Sequence, residues 1–120
     1  MATVATLRRF ALALPEATEV IFKGEPWFVV RKKTFALWSE RSKRAILKLD
    51  REHQNMLFDV RPDVFAPCKV GTGGVWSYVD IAKLPHAELK GLVTEAWTQV
   101  VPKKIGRAFA SAASRTPRSW

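Results

Sequence analysis

The chain has 120 residues, a formal net charge of +9 and an apolar share of 48%. One domain is the natural division at that length, and a chain of this size buries a core without covalent staples. The single cysteine, Cys68, excludes an intramolecular disulfide and with it a secreted disulfide scaffold.

Val4, Leu7, Ala11 and Leu14 fall on one helical face over residues 3–14, and Phe10 widens that face. Thr3 is the expected N-cap and Pro15 the stop. This start has no charged segment followed by the apolar stretch of a signal peptide. No apolar run is long enough to span a bilayer. The expected location is therefore the cytoplasm, with no membrane partner.

The period then changes. Residues 19–22 are rich in β-branched and aromatic side chains, and 23–26 punctuate them as a turn. Residues 27–30 predict a second strand, Arg31-Lys32-Lys33 a polar break, 34–39 a third strand and 40–43 a hairpin loop. In the fourth strand, 44–50, Ala45, Leu47 and Leu49 alternate with Arg44, Ile46 and Lys48. That alternation predicts one buried face and one wet face.

Asp50 is the expected N-cap of a helix over 51–58. Residues 62–70 read as irregular, Gly71-Thr72-Gly73-Gly74 as a loop and 75–81 as a fifth strand. The longest helix is predicted over 84–101, with Leu89, Leu92, Val93, Ala96, Trp97 and Val100 as its apolar stripe and Pro102 as its end. The pattern predicts an α+β domain over residues 1–110: a mainly antiparallel sheet of about five strands, with N- and C-terminal helices on one face. Residues 111–120 are expected to be a disordered basic tail.

The positive charge is unevenly placed. Residues 1–50 carry ten basic and five acidic side chains, residues 51–101 five and six, and residues 102–120 five and none. A net charge of +9 exceeds the magnitude of about 2–8 that keeps a small domain soluble, and favours a polyanionic partner. Within residues 31–48, Arg31, Lys32, Lys33, Arg41, Lys43, Arg44 and Lys48 face Glu40 alone. These cations suit phosphates, and Trp38 on the adjoining strand offers a ring to a base or groove wall. Lys103, Lys104 and Arg107 suit a secondary nucleic-acid arm. The plainer reading is a solvated sheet whose lysines discourage edge pairing. An acidic protein partner fits the same charge. A small-molecule pocket lined by Trp27, Trp76 or Trp97 is a third possibility.

Catalytic patterns do not assemble. The glycine loop is followed by a strand and not by Lys-Ser/Thr and a helix, so the phosphate-cradle fingerprints fail. Cys68 with His53 or His86 is a weak thiol–imidazole pair, since a lone cysteine is usually a small buried hydrophobe. Two histidines and one cysteine fall short of a metal set. Glu16 and Glu19 read as surface residues. No enzyme activity and no cofactor are expected.

Several segments in order resemble the MmcQ/YjbR-like family: Ala13-Leu14-Pro15-Glu16-Ala17-Thr18-Glu19, then Phe22-Lys23-Gly24-Glu25-Pro26-Trp27-Phe28-Val29-Val30, then Lys33-Thr34-Phe35-Ala36. The stretches 71–76 and 88–104 match as well, so the resemblance covers about residues 3–108. It implies an α+β fold like that of the bacterial frataxin homologue, and DNA binding through a paired-hairpin "double wing". It carries no catalytic residue set. Two departures are the glycine loop, longer than Gly-x-x-Gly-Trp, and the basic extension after Ala110. Frataxin-type iron binding uses an acidic ridge on the first helix. Here that helix carries Arg8 and Arg9 and no acid, so iron handling is not expected. The expected function is double-stranded DNA binding through phosphates by a monomer. No recognition helix is evident, so little sequence specificity is expected.

Overall fold

The computed structural model describes residues 2–68, 76–102 and 105. Helix α1, Val4–Leu12, begins at a reciprocal cap. The Thr6 amide donates to Thr3 Oγ1 at 3.4 Å, and the Thr3 amide donates to Thr6 Oγ1 at 3.1 Å. Two otherwise orphaned helix-end donors are thereby satisfied.

Four strands follow as a meander: β1 (Ala17–Phe22), β2 (Glu25–Val30), β3 (Lys33–Ser39) and β4 (Arg44–Lys48), each antiparallel to the next. Helix α2, Arg51–Val60, starts where the Asp50 carboxylate accepts the His53 amide at 3.3 Å. Then come β5 (Phe65–Pro67), β6 (Trp76–Val79), a short 3₁₀ turn at Ile81–Lys83 and helix α3 (His86–Thr98). The described residues form one six-stranded antiparallel sheet in the order β1-β2-β3-β4-β6-β5.

The α+β class and the terminal helices agree with the sequence. The strand count does not, because β5 lies in the stretch read as irregular. It is three residues long and ends in Pro67. At the edge of a sheet a proline forfeits no ladder hydrogen bond. The loop at 71–74 and the tail at 111–120 lie outside the described residues.

The three described α-helices cover the same face of the sheet, and the opposite one is helix-free among the described residues. Leu7 and Ala11 of α1, Leu57 of α2, and Leu89, Val93 and Trp97 of α3 pack with Phe28, Val30, Phe35, Leu47, Phe65 and Val79. Each fully buried large apolar side chain contributes about 1.5–3 kcal/mol. Trp97 has no exposed surface, and its indole Nε1 donates to the Pro15 carbonyl at 2.9 Å. Glu95 joins α3 to the start of α2: one carboxylate oxygen accepts the Asp50 amide at 3.2 Å and the other meets His53 Nδ1 at 2.6 Å.

A β-bulge decides which β3 side chains face the helices. Phe28 pairs with Ala36 while its neighbour Val29 pairs with Thr34, leaving Phe35 as the extra residue. Phe35 and Ala36 are both fully buried in the helix-side core. Two residues then oppose one, as a bulge requires.

The helix-free face corrects the expectation of a wet side on the fourth strand. Ile46 is only 4% exposed. It is buried with Leu37 and Cys68, and Trp27, Trp76 and Tyr78 pack around them. The sheet therefore carries a second, smaller apolar cluster opposite its main core.

Candidate functional site

Directly paired residues in a sheet project to the same side. Pairing therefore assigns Val20, Trp27, Leu37, Ile46 and Tyr78 to one row across the helix-free face. Arg44, paired with Ser39, and Lys48, paired with Trp76, lie above and below that row on the same face.

The predicted cations collect at opposite ends of β3. Arg31, Lys32 and Lys33 stand at the turn before it, while Arg41, Lys43 and Arg44 stand at the turn after it. Seven residues of strand separate these ends by about 20 Å. Lys48, at the far end of the antiparallel β4, belongs with the first group. Lys23, in the β1–β2 turn, joins the second. It escaped the sequence reading because it lies outside residues 31–48, and the meander brings it alongside.

Several of these cations are already engaged. Arg31 makes a two-point ion pair with Glu16, Nε–Oε1 at 2.7 Å and Nη2–Oε2 at 3.2 Å, and this pairing raises its pKa. Lys43 bonds to Glu40, whose carboxylate also accepts the Trp38 indole N–H at 2.5 Å. The Lys43 and Trp38 hydrogen bonds hold the Glu40 carboxyl below its usual range. The Arg44 guanidinium lies 4.0 Å from the centre of the Tyr78 ring. Among the described residues, Lys32, Lys33, Arg41 and Lys48 have no acidic partner.

Trp38 and Lys33 are not brought to the face that carries Arg44 and Lys48. Trp38 pairs with Ala45 and packs against the helix-side core, and Lys33 pairs with the buried Val30. The aromatic residues that do share the face are Phe22, Trp27, Trp76 and Tyr78. Lys103, Lys104 and Arg107 lie outside the described residues.

The turns themselves differ in chemistry. Phe22 pairs with Glu25 and Val30 with Lys33, so each connection has two central residues. All four have positive φ: Lys23 at 52° and Gly24 at 80°, Arg31 at 48° and Lys32 at 74°. Two positive φ values define the type I′ hairpin turn, which prefers glycine at the second position. The first hairpin has glycine there, and the second has Lys32.

Two grooves open on the helix-free face. One, of 440 Å³, runs over Val20, Phe22, Trp27 and Val29 towards Arg31 and Lys32. The other, of 540 Å³, runs over Phe22, Trp27, Leu37 and Ile46 towards Lys23 and Arg41. Phe22 and Trp27 border both, with ring centres 4.9 Å apart and planes inclined at 56°.

Cys68, His53 and His86 sit in three different settings. Cys68 is in the helix-free cluster, His53 is held by Glu95, and His86 packs edge-on to Phe10. Glu16 and Glu19 bind separate arginines, Arg31 and Arg8. Among the described residues no three of His, Cys, Asp and Glu gather as metal ligands would, and no helix is long and apolar enough to cross a membrane.

The family model for YjbR matches residues 12–99. A crystal structure of Deinococcus radiodurans protein DR2400, with the family-model domain DUF419, superimposes with a TM-score of 0.75 at 26% sequence identity. That match covers 87% of this chain and 82% of the other. No curated protein sequence matches.

Proposed function

The chain belongs to the YjbR family, and we propose that it is a nucleic-acid-binding module that holds phosphates through the cations at the two ends of β3. It engages double-stranded DNA with little sequence specificity, and it has no catalytic role.

Lys32 is the observation that carries this reading. It occupies the glycine position of a type I′ turn at a φ of 74°, and it has no acidic partner among the described residues. A left-handed conformation costs a non-glycine residue about 1–2 kcal/mol. Arg31 beside it has an ion pair with Glu16 to account for its place. Among the described residues Lys32 has no such ion pair, and retained strain of this kind points to function at the side chain. An exposed ammonium at the sheet's end suits a phosphate.

The test is binding of a labelled DNA duplex across a salt series, with RNA and heparin in parallel. Engagement of about four phosphates predicts a slope of log K against log salt near −4. Charge reversal at Lys43 and Arg44 weakens binding equally for unrelated sequences. No binding of any nucleic acid at low salt, or salt-insensitive affinity, overturns the reading. Heparin bound as tightly as DNA would favour a general acidic partner instead.

A further inference from the structure

The helix-free face has features that phosphate binding alone does not use. Four aromatic side chains, Phe22, Trp27, Trp76 and Tyr78, lie on one side of an antiparallel sheet with no helix over them among the described residues. Phe22 is 48% exposed although the main core lies one sheet-thickness away. Its ring and that of Trp27 form a ridge, with a groove on each side, and the grooves run outward to cations at opposite ends. The acids at the groove margins are occupied: Glu16 by Arg31, and Glu25 by the Glu40 amide at 2.8 Å. An apolar aromatic centre flanked by cations fits a chain whose charge lies on its backbone and whose flat groups project from it.

Paired bases in a duplex are stacked on one another and cannot lie on a protein ring. Unpaired bases can, and sheet-borne aromatics in nucleic-acid-binding domains stack two or three of them. Such stacking tolerates any base, because every base has a π face. We propose that the helix-free face binds single-stranded nucleic acid, with bases stacked at the Phe22–Trp27 ridge and the backbone running between Lys32 and Arg41. This rests on the nucleic-acid reading above: besides the duplex that the cations hold by its phosphates, the aromatic face between them takes an unpaired strand. Charge complementarity selects this occupant: the rim is cationic, and its carboxylates are already bonded.

The experiment compares oligothymidylate, oligouridylate, a duplex of equal length and an abasic sugar-phosphate strand of equal length, on wild-type protein and on Phe22→Ala. Phe22 is exposed, so its truncation leaves the fold intact, which circular dichroism verifies. The expected result is tighter binding of one or both single strands than of the duplex and of the abasic strand. Phe22→Ala then weakens single-strand binding by about tenfold or more and leaves duplex binding unchanged. The difference between the thymidylate and uridylate arms assigns DNA or RNA. Abasic and base-bearing strands bound equally, or single-strand affinity untouched by Phe22→Ala, overturns the stacking inference while duplex binding keeps the phosphate reading alive. No salt-dependent binding of any arm sinks both.

Discussion

The guanidinium of Arg44 lies 4.0 Å from the centre of the Tyr78 ring, joining β4 to β6 on the helix-free face. Tyr78 is the only tyrosine in the chain, so its titration can be followed without ambiguity. Its phenol is held above the usual range, first by the charge of the neighbouring Cys68 and then by burial and a hydrogen bond with Cys68, while Arg44 and Arg41 act in the opposite direction. Phenolate absorbance should therefore appear above the ordinary tyrosine value of about 10. In Arg44→Ala it should appear at still higher pH, because a cation that favours the phenolate is gone. A midpoint that falls in Arg44→Ala would contradict the contact.

Lys32 supports a second prediction, of opposite sign for stability and binding. Relief of left-handed strain, about 1–2 kcal/mol, exceeds the extra chain entropy of glycine, so Lys32→Gly should stabilise the fold by about 0.5–1 kcal/mol. The same change should weaken nucleic-acid binding and lower the salt slope by about one unit. Urea midpoints and the salt-titrated assay measure the two effects. Destabilisation by Lys32→Gly would mean that the lysine has a structural partner.

Trp97 supplies a third. It is fully buried and its indole N–H bonds to the Pro15 carbonyl. Trp97→Ala should cost about 3–5 kcal/mol through cavity formation. Trp97→Phe should cost about 1–3 kcal/mol, since it keeps a ring but leaves the Pro15 carbonyl without its donor. Equal losses in the two variants, read from urea denaturation, would assign the whole effect to the hydrogen bond.

Acid should loosen the β3–β4 turn. The Lys43 and Trp38 hydrogen bonds favour the charged form of Glu40, lowering its pKa in the folded state. The stabilisation is present above the ordinary glutamate range, about 4.3, and is lost as pH falls through the lowered folded value. The Trp38 indole proton resonance should shift with a midpoint below that range. In Glu40→Gln the same transition should be absent. A midpoint at or above the ordinary value would mean that the two hydrogen bonds do not form in solution.

Local signals carried most of the elements. Thr3, Asp50 and Pro15 mark helix ends through chemistry that acts within a few residues, and the stripe of α3 from Leu89 to Trp97 is buried as its period requires, with Val100 buried just beyond the helix. What escaped depends on distant partners. Ile46 alternates like a wet residue, yet Trp27, Cys68 and Tyr78 converge on it from three other segments. Trp38 stands next to basic residues in sequence, but the β3 register places it with Ala45 against the helices. Lys23 joins Arg41 only because strands of similar length fold back at the same end. The basic residues were legible as a group. Their division between two ends of a strand, and the aromatic ridge between those ends, required the pairing of β1 with β2 and β3.

The strand order also shapes how the chain folds. From β1 to β4 every strand pairs with its immediate neighbour in sequence, so this meander closes through short loops whose entropic cost is small. Its apolar lid comes late: Leu89, Val93 and Trp97 belong to the last described helix, and the Trp97–Pro15 bond spans 82 positions. Until α3 has been made, Phe28, Val30, Phe35 and Leu47 lack the part of their cover that Leu89, Val93 and Trp97 supply. Truncation ahead of α3 should thus yield a sticky, chaperone-dependent intermediate and not a smaller soluble domain.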